Sequence, residues 1–417
     1  MPAKTFFTRF AIVLSACVVM RAVNLAPSRA APALARLPEQ AACASAANRA
    51  SSGTARVRDV MASMTLEQQV GQLYMVGLQA GASDVDAATT NDAISTYHAG
   101  NVVLYGTGWS SSAAVRAVTR PLQALAHDAN TGVELFISGN QEGGQQGSFQ
   151  AFYGTGFSAI PGPIAQARGD PALLQEQARI WGVQLSRSGI NLNLAPVLDT
   201  VPPGTAAGNA PIGYWGREYG FDPEDVTTYG VAFARGMLAA PVAVAIKHFP
   251  GLGRVTGNTD FTAEGIVDDQ FSGLDDPYLQ PYRAGIDAGA GFVMMSLAAY
   301  PRVDATQAVF SATIINGILR RGLGFDGIVI SDDLGQAAAV QDRTPAQRAL
   351  DFFGAGGDMV LTVQPADIVP MTRAVLQRIA GDPDFAAHIQ ESVQRVLMAK
   401  ARYGLLPKET PAVGCET

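Results

Sequence analysis

Eight short apolar runs, separated by stretches of helical character, constrain the fold of this chain more than any other feature. They are Tyr74–Leu78, Val102–Tyr105, Glu134–Ser138, Leu192–Val197, Val242–Ile246, Phe292–Ser296, Gly327–Ile330 and Met359–Val363. Near-continuous Val, Ile, Leu and Met, rather than strict alternation, suits parallel strands covered on both faces. Most runs are followed by Gly, Pro, Asn, Asp or Ser, the chemistry of a loop at a strand's C-terminal end. The intervening stretches carry helix starts. Thr65-Leu66-Glu67-Gln68 has the capping-box pattern, and Asp170-Pro171 and Asp222-Pro223 each place an N-cap before a proline at the first helical position. Ile314 to Leu323 reads as a helix ending at a Gly324-Phe325-Asp326-Gly327 turn. Eight strand–helix repeats predict an α/β fold, a single-domain (β/α)8 TIM-type barrel of parallel strands, over an open doubly wound sheet. No Gly-x-Gly-x-x-Gly follows the first run, which argues against a dinucleotide site.

The barrel does not account for the whole chain. Residues 1–23 read as an export signal: Lys4 and Arg9 precede an apolar stretch, Phe10 to Met20, too short to span a bilayer. Leu14-Ser15-Ala16-Cys17 fits a lipobox, with Cys17 lipidated and attached to a membrane; the competing reading is plain cleavage near Ala30 or Ala31. Either route makes the protein exported, as a cell-surface lipoprotein or a secreted one. Residues 24–57, rich in Ala, Pro, Ser and Arg, read as a tether, 58–404 as the barrel and 405–417 as a tail. A net charge of −7 without a basic run excludes an electrostatic case for nucleic acid. The histidines (His98, His127, His248, His388) are scattered and no cysteine has metal-type spacing, so no zinc site is expected.

Active sites of such barrels lie at the C-terminal strand ends. That rule collects Asn140, Gln141 and Glu142 after the third strand, Asp199 after the fourth, Lys247 and His248 after the fifth, and Ser331, Asp332 and Asp333 after the seventh. The chain has only four lysines and four histidines, and Lys247-His248 sets one of each side by side at the end of a buried strand. Burying them without partners would be costly. Asp332 and Asp333 are adjacent, so their side chains point to opposite faces and only one can enter the pore. The set is rich in carboxylates and amides with one basic pair, and suits a polyhydroxylated neutral ligand better than a phosphate.

In order along the chain stand Gln141-Glu142-Gly143-Gly144, Asn193-Leu194-Ala195-Pro196-Val197-Leu198-Asp199, Ile212-Gly213 with Arg217-Glu218-Tyr219-Gly220, Ile246-Lys247-His248-Phe249-Pro250-Gly251 and Ser331-Asp332-Asp333-Leu334. This series resembles glycoside hydrolase family 3, and within it the single-domain bacterial β-N-acetylglucosaminidases that trim peptidoglycan-derived sugars. Met294, Tyr300-Pro301 and the Leu323–Gly327 lead-in add to the likeness, which runs from about Thr65 to Tyr403. The resemblance implies a retaining mechanism without a cofactor, a carbohydrate substrate and Asp332 as nucleophile. It also places Lys247, His248 and Arg217, with Asn140, around the sugar hydroxyls. A monomer is expected.

The departures from the family pattern are also informative. Asn140 and Gln145 stand where the family usually has aspartate and arginine, and Leu252 and Leu297 where it usually has histidines. The family's loop ends in Asp-Ser-His and supplies a histidine acid; here it reads Asn258-Thr259-Asp260. Asp260 is therefore the candidate acid, with Glu142 or Glu264 next in line. Two functions follow. The first is an exported retaining β-N-acetylhexosaminidase; the second is a catalytically weak or inactive sugar-binding lipoprotein on the same barrel. With Cys17 lipidated or removed, Cys43 and Cys415 are the two remaining cysteines of an exported chain, and a disulfide between them is expected. Thiol titration of unreduced, denatured protein lacking Cys17 should find no free thiol; two titratable thiols would disprove the bridge.

Overall fold

In the computed structural model residues 53–408 are described. The export signal, the lipobox at Cys17 and the Cys43–Cys415 pairing lie outside them. All eight apolar runs become strands of one closed parallel barrel. Its strands are β1 (Tyr74–Gln79), β2 (Asn101–Tyr105), β3 (Phe136–Gly139), β4 (Leu192–Asn193), β5 (Ala243–Phe249) and β6 (Phe292–Met295). After a two-stranded excursion, β7 (Ala299–Tyr300) and β8 (Asp304–Gln307), the ring continues with β9 (Ile328–Asp333) and β10 (Met359–Thr362). β10 then pairs with β1, Tyr74 opposite Val360, and closes it. Each barrel strand is buried almost end to end, as the unbroken apolar runs require.

Two local departures have physical causes. β4 holds only Leu192 and Asn193, and Pro196 has no N–H to give the ladder; pairing resumes around Val197, where Lys247 N donates to Pro196 O and Leu198 N to Lys247 O. The antiparallel β7–β8 pair has no apolar run behind it: β8 reads Asp-Ala-Thr-Gln, with its middle residues exposed.

The fold extends beyond 58–404. Residues 53–63 are helical, Val57 is fully buried, and Arg56 donates to the carbonyls of Leu406 and Pro407. The helix thus begins inside the stretch read as tether, and buried Leu405 and Leu406 belong to the core. At the N-terminal end of the barrel, Lys400 reaches in from helix Pro383–Arg402 and donates to Gln72 Oε1 (2.6 Å) and Gly100 O (2.8 Å). Burial pulls its pKa down to about 7.

At the other end, the long segment after β3 folds over the mouth, as its length suggests. Gln141 clips the loop shut with both ends of its amide, on Phe152 O (2.9 Å) and Phe152 N (3.0 Å). This candidate residue therefore braces the loop rather than serving a ligand.

The outer helices Pro171–Arg187 and Pro223–Ala239 pack through glycines. A Cβ on Gly236 would lie 2.2 Å from Gln175 O, and one on Gly182 2.8 Å from the Ala240 Cβ. Replacing a helical glycine with alanine ordinarily gains about 0.5–1 kcal/mol. Here the clash is with a backbone carbonyl that cannot swing away, so overpacking prevails. Gly236→Ala should lose about 1–3 kcal/mol in denaturant unfolding; a neutral or stabilising result would show that the two helices can separate freely.

Candidate active site

A cleft of about 650 Å³ opens at the C-terminal ends of the strands. Asn140, Arg217, Lys247, His248, Asp260 and Asp332 all border it, so the structure brings together every candidate catalytic and substrate-binding residue. A cleft of about 710 Å³ lies at the opposite end, among Pro241, Gly291, Gly327 and the last helix. It holds none of these six, and chemistry in this fold belongs to the C-terminal end.

The floor is built on buried charge. Glu142, 1% exposed, takes a fork from Arg217: Nε to Oε2 at 2.9 Å and Nη2 to Oε1 at 2.8 Å. Lys247 Nζ adds a third contact to Oε1 at 2.7 Å and donates to Asn140 Oδ1 at 3.0 Å. Burial alone would raise the carboxyl, but Arg217 and Lys247 outweigh it and hold Glu142 down at about 2. Glu142 is thus a permanent anion, and its place among the reserve acids is overturned. Glu264, the other reserve, is exposed and does not border the cleft. Burial pulls Lys247 below the usual lysine range, against the opposing pull of Glu142. Arg217 also donates to Pro211 O (2.8 Å), and its guanidinium stacks over the Phe149 ring at 4.5 Å. Both cations are therefore fixed in place, with only their unspent N–H groups available to a ligand. Asn140 loses the charge of an aspartate but keeps an acceptor for Lys247.

His248 is oriented from behind. Asp199, fully buried, accepts from His248 Nδ1 (2.7 Å), Leu252 N (2.7 Å), Tyr282 Oη (2.9 Å) and His248 N (3.2 Å). Burial works against the Asp199 anion, yet His248 and these donors hold its pKa below the usual value. With Nδ1 committed to Asp199, Nε2 faces the cleft, 4.0 Å from Asp332 Oδ2. Asp199 is thus a positioning residue, and Tyr282, which the sequence did not single out, completes its shell.

The adjacent acids on β9 are told apart by their partners. Asp333 borders the cleft as well, but its oxygens are committed to the main chain, accepting from Gly335 N (2.8 Å), Gln336 N (2.8 Å) and Val363 N (2.9 Å). Ser331 is turned from the cleft, its Oγ accepting from Leu361 N at 2.9 Å. Asp332 keeps a solvent-reachable side chain, 20% exposed, and accepts from Asp333 N at 2.9 Å.

Asp260 arrives on the loop after β5. Asn258 Oδ1 accepts from its N–H at 3.0 Å, and the backbone is tied to the segment beyond Asp332: Ala339 N to Thr259 O (3.1 Å) and Ala338 N to Asp260 O (3.2 Å). The residue is exposed at the rim, but the surrounding loops desolvate its carboxyl. That desolvation, and then the charge of Asp332, push its pKa up to about 6, while Arg217 and His248 pull it down. Among the described residues no group of three or more His, Cys, Asp or Glu side chains is arranged to hold a metal ion.

Two carboxyl groups at a barrel mouth, one with a raised pKa, beside fixed cationic donors form a constellation suited to glycoside chemistry. Residues 65–399 match the model of the glycosyl hydrolase family 3 N-terminal domain. The chain belongs to glycosyl hydrolase family 3. A β-N-acetylhexosaminidase from Beutenbergia cavernae DSM 12333 superposes with a TM-score of 0.77 at 47% identity, covering 81% of this chain and 98% of that one. A family 3 β-N-acetylglucosaminidase from Paenibacillus sp. str. FPU-7 gives 0.72 at 29% identity, over 85% of this chain and 65% of that one. A β-hexosaminidase of Xanthomonas campestris pv. campestris (strain B100) is 35% identical over 270 residues, 64% of this chain and 76% of its own length. The family 3 membership and the barrel expected from the sequence both hold, and the protein is a glycoside hydrolase.

The Glu142 anion also makes a stability prediction for this family 3 barrel. Its folded pKa lies below the unfolded value, so its contribution is present above about pH 4.5 and lost as pH falls towards 2. Glu142→Gln, which strands two buried cations, should lose about 3–5 kcal/mol at pH 7. Urea unfolding across pH should show the gap between the two proteins closing between about pH 4.5 and 2. A gap that persists unchanged at pH 2 would contradict the assignment.

Proposed function

We propose that this chain hydrolyses terminal β-linked N-acetylglucosamine residues with retention, Asp332 serving as nucleophile and Asp260 as acid and base. The observation that carries the reading is the pair itself: Asp332 open to the cleft, and Asp260 beside it with a carboxyl raised to about 6. In the first step the Asp332 carboxylate attacks the anomeric carbon, the bond to the leaving oxygen breaks, and Asp260 gives that oxygen its proton. In the second, Asp260 as carboxylate takes a proton from water, which attacks the same carbon and releases Asp332. Arg217, Lys247, His248 Nε2 and Asn140 meet the sugar hydroxyls. The name of the B. cavernae relative supports an N-acetylhexosamine, and that of the Paenibacillus relative N-acetylglucosamine, as the sugar. The N-terminal reading supports an exported protein, either lipidated at Cys17 or cleaved near Ala30, acting as a monomer on glycans outside the cytoplasm, peptidoglycan fragments among them.

Turnover of an aryl N-acetyl-β-glucosaminide separates this reading from a sugar-binding protein that does no chemistry. Asp332→Ala should abolish it, and a 2-fluoro-sugar inactivator should label the peptide that carries Asp332. Asp260→Ala should slow substrates with poor leaving groups far more than a dinitrophenyl glycoside, and azide should restore part of the latter's rate. Equal losses without rescue would remove Asp260 from the mechanism.

The pH dependence tests the same assignment. Asp260 must carry its proton to act as acid, so kcat/KM should fall as pH rises above about 6. In Asp260→Ala this basic limb should vanish for the dinitrophenyl glycoside. A basic limb kept by the variant would assign the titration to another group.

A further inference from the structure

Away from the cleft, at the N-terminal end of the barrel, one buried base is left without an acid. Among the described residues, buried Arg217, Lys247 and Arg348 each face a carboxylate, on Glu142 or Asp367. Lys400, 0% exposed, has only neutral acceptors in contact, Gln72 Oε1 and Gly100 O. A neutral amine has two N–H groups, which these two acceptors satisfy; an ammonium brings a third. The cluster serves that third N–H poorly. Gln72 Nε2, buried and unbonded, is itself a donor. Asn101 Oδ1 is also buried and unbonded, but Asn101 Nδ2 is fixed on Gln72 O (2.9 Å) and Tyr74 O (3.0 Å), which holds the oxygen off the amine. Charging the amine here therefore carries the cost of burial with no ion to offset it.

The contact joins the end of helix Pro383–Arg402 to the residues just before β1 and β2. It lies beside the seam of the barrel, where Val360 N of β10 donates to Leu73 O (2.9 Å). We propose that Lys400 is a proton-operated clasp on this end of the barrel: the neutral amine fastens the last helix to β1 and β2, and protonation loosens it. The charged groups nearby leave the amine to its neutral partners. Arg56 donates to the carbonyls of Leu406 and Pro407, His98 Nδ1 meets Ala129 O (3.1 Å), and Glu67 and Arg402 are exposed. Burial, opposed only by the more distant charge of Glu134, brings the Lys400 pKa from its ordinary 10.5 down to about 7. Between these two values the unfolded chain binds a proton that the folded chain does not. Stability from this site therefore rises with pH across that window and is lost below about 7.

The chain has four lysines, Lys4, Lys247, Lys400 and Lys408, few enough to follow one by one in full-length protein carrying labelled lysine. The side-chain resonance missing from Lys400→Met should titrate near pH 7 in the wild type. Gln72→Glu sets a carboxylate against the amine and should raise that midpoint by about 1–3 pH units. A wild-type midpoint above about 10, the value of a free lysine, would overturn the clasp.

Two further measurements read its consequence. Relative to Lys400→Met, the unfolding constant of the wild type in urea should fall by up to about tenfold per pH unit between about pH 7.5 and 9.5. A ratio that does not change with pH would overturn the proposal. Hydrogen exchange, corrected for its intrinsic pH dependence, should show helix Pro383–Arg402 losing about tenfold in protection between about pH 8.5 and 6, and Gln72→Glu should keep that protection. Equal protection at both pH values in the wild type would also overturn it. None of these measurements involves the cleft, so they stand or fall apart from the roles of Asp332 and Asp260.

Discussion

The active-site end of the barrel depends on one buried anion. Glu142 is enclosed, and its two partners come from distant parts of the chain: Arg217 from the loop after β4 and Lys247 from the end of β5. Without it both cations would face the cost of burial with no compensating charge. With it, three segments are fixed to one another, and Asn140 and Phe149 are fixed with them. A cluster of this kind contributes less to net stability than its short contacts suggest, because desolvation opposes the attraction. What it supplies is position. The N–H groups left over on Arg217 and Lys247 point into the cleft with no freedom to follow other partners.

A second buried anion does the same for the imidazole. Asp199 accepts four donors, and the one from His248 Nδ1 decides which ring nitrogen faces the ligand. The two buried anions differ in what they hold. Glu142 holds positive charge at the cleft floor, whereas Asp199 holds the orientation of a ring. Between them stands Asp332, whose neighbour Asp333 is spent on three backbone N–H groups. Both acids border the cleft, and it is the committed oxygens of Asp333 that set it apart from Asp332.

How much of this was legible in the sequence depends on the kind of signal. The eight strands were, because burial on both faces leaves an unbroken apolar run. The six candidate residues were, because the C-terminal strand ends and the order of the motifs converge on them. The role of Glu142 was not. Its motif marked it as important, but only the fold shows that Arg217 and Lys247, 75 and 105 positions away in sequence, close on its oxygens. The β7–β8 pair was missed because it is short and polar. The helix over 53–63 was partly assigned to the tether because alanine-rich composition hides the one buried side chain, Val57, that binds it to the core. The exposed Tyr214 and Trp215 left only a weak trace in a Gly-rich loop, because exposure cannot be read from residue type.

On the proposed reading Asp260 takes the place of a histidine acid, and this changes how the acid is controlled. An imidazole needs a partner to fix its tautomer; a carboxylic acid needs only a raised pKa. Here that rise comes first from desolvation and second from the charge on Asp332, with Asp333 adding to it. Backbone hydrogen bonds from Ala338 and Ala339 tie the Asp260 segment to the loop that leaves β9, so the spacing of the two acids is set by the main chain rather than by a free-swinging loop. In the proposed sequence the second cause is switched by the reaction itself. While Asp332 is an anion, it favours the protonated form of Asp260, the form that the first step needs. Once Asp332 is esterified by the sugar its charge is gone, and Arg217 and His248 act on Asp260 without that opposition. The balance then moves towards the carboxylate, the form that must take a proton from water in the second step. One carboxyl can thus serve as acid and then as base because esterification of the nucleophile removes part of what raises its pKa.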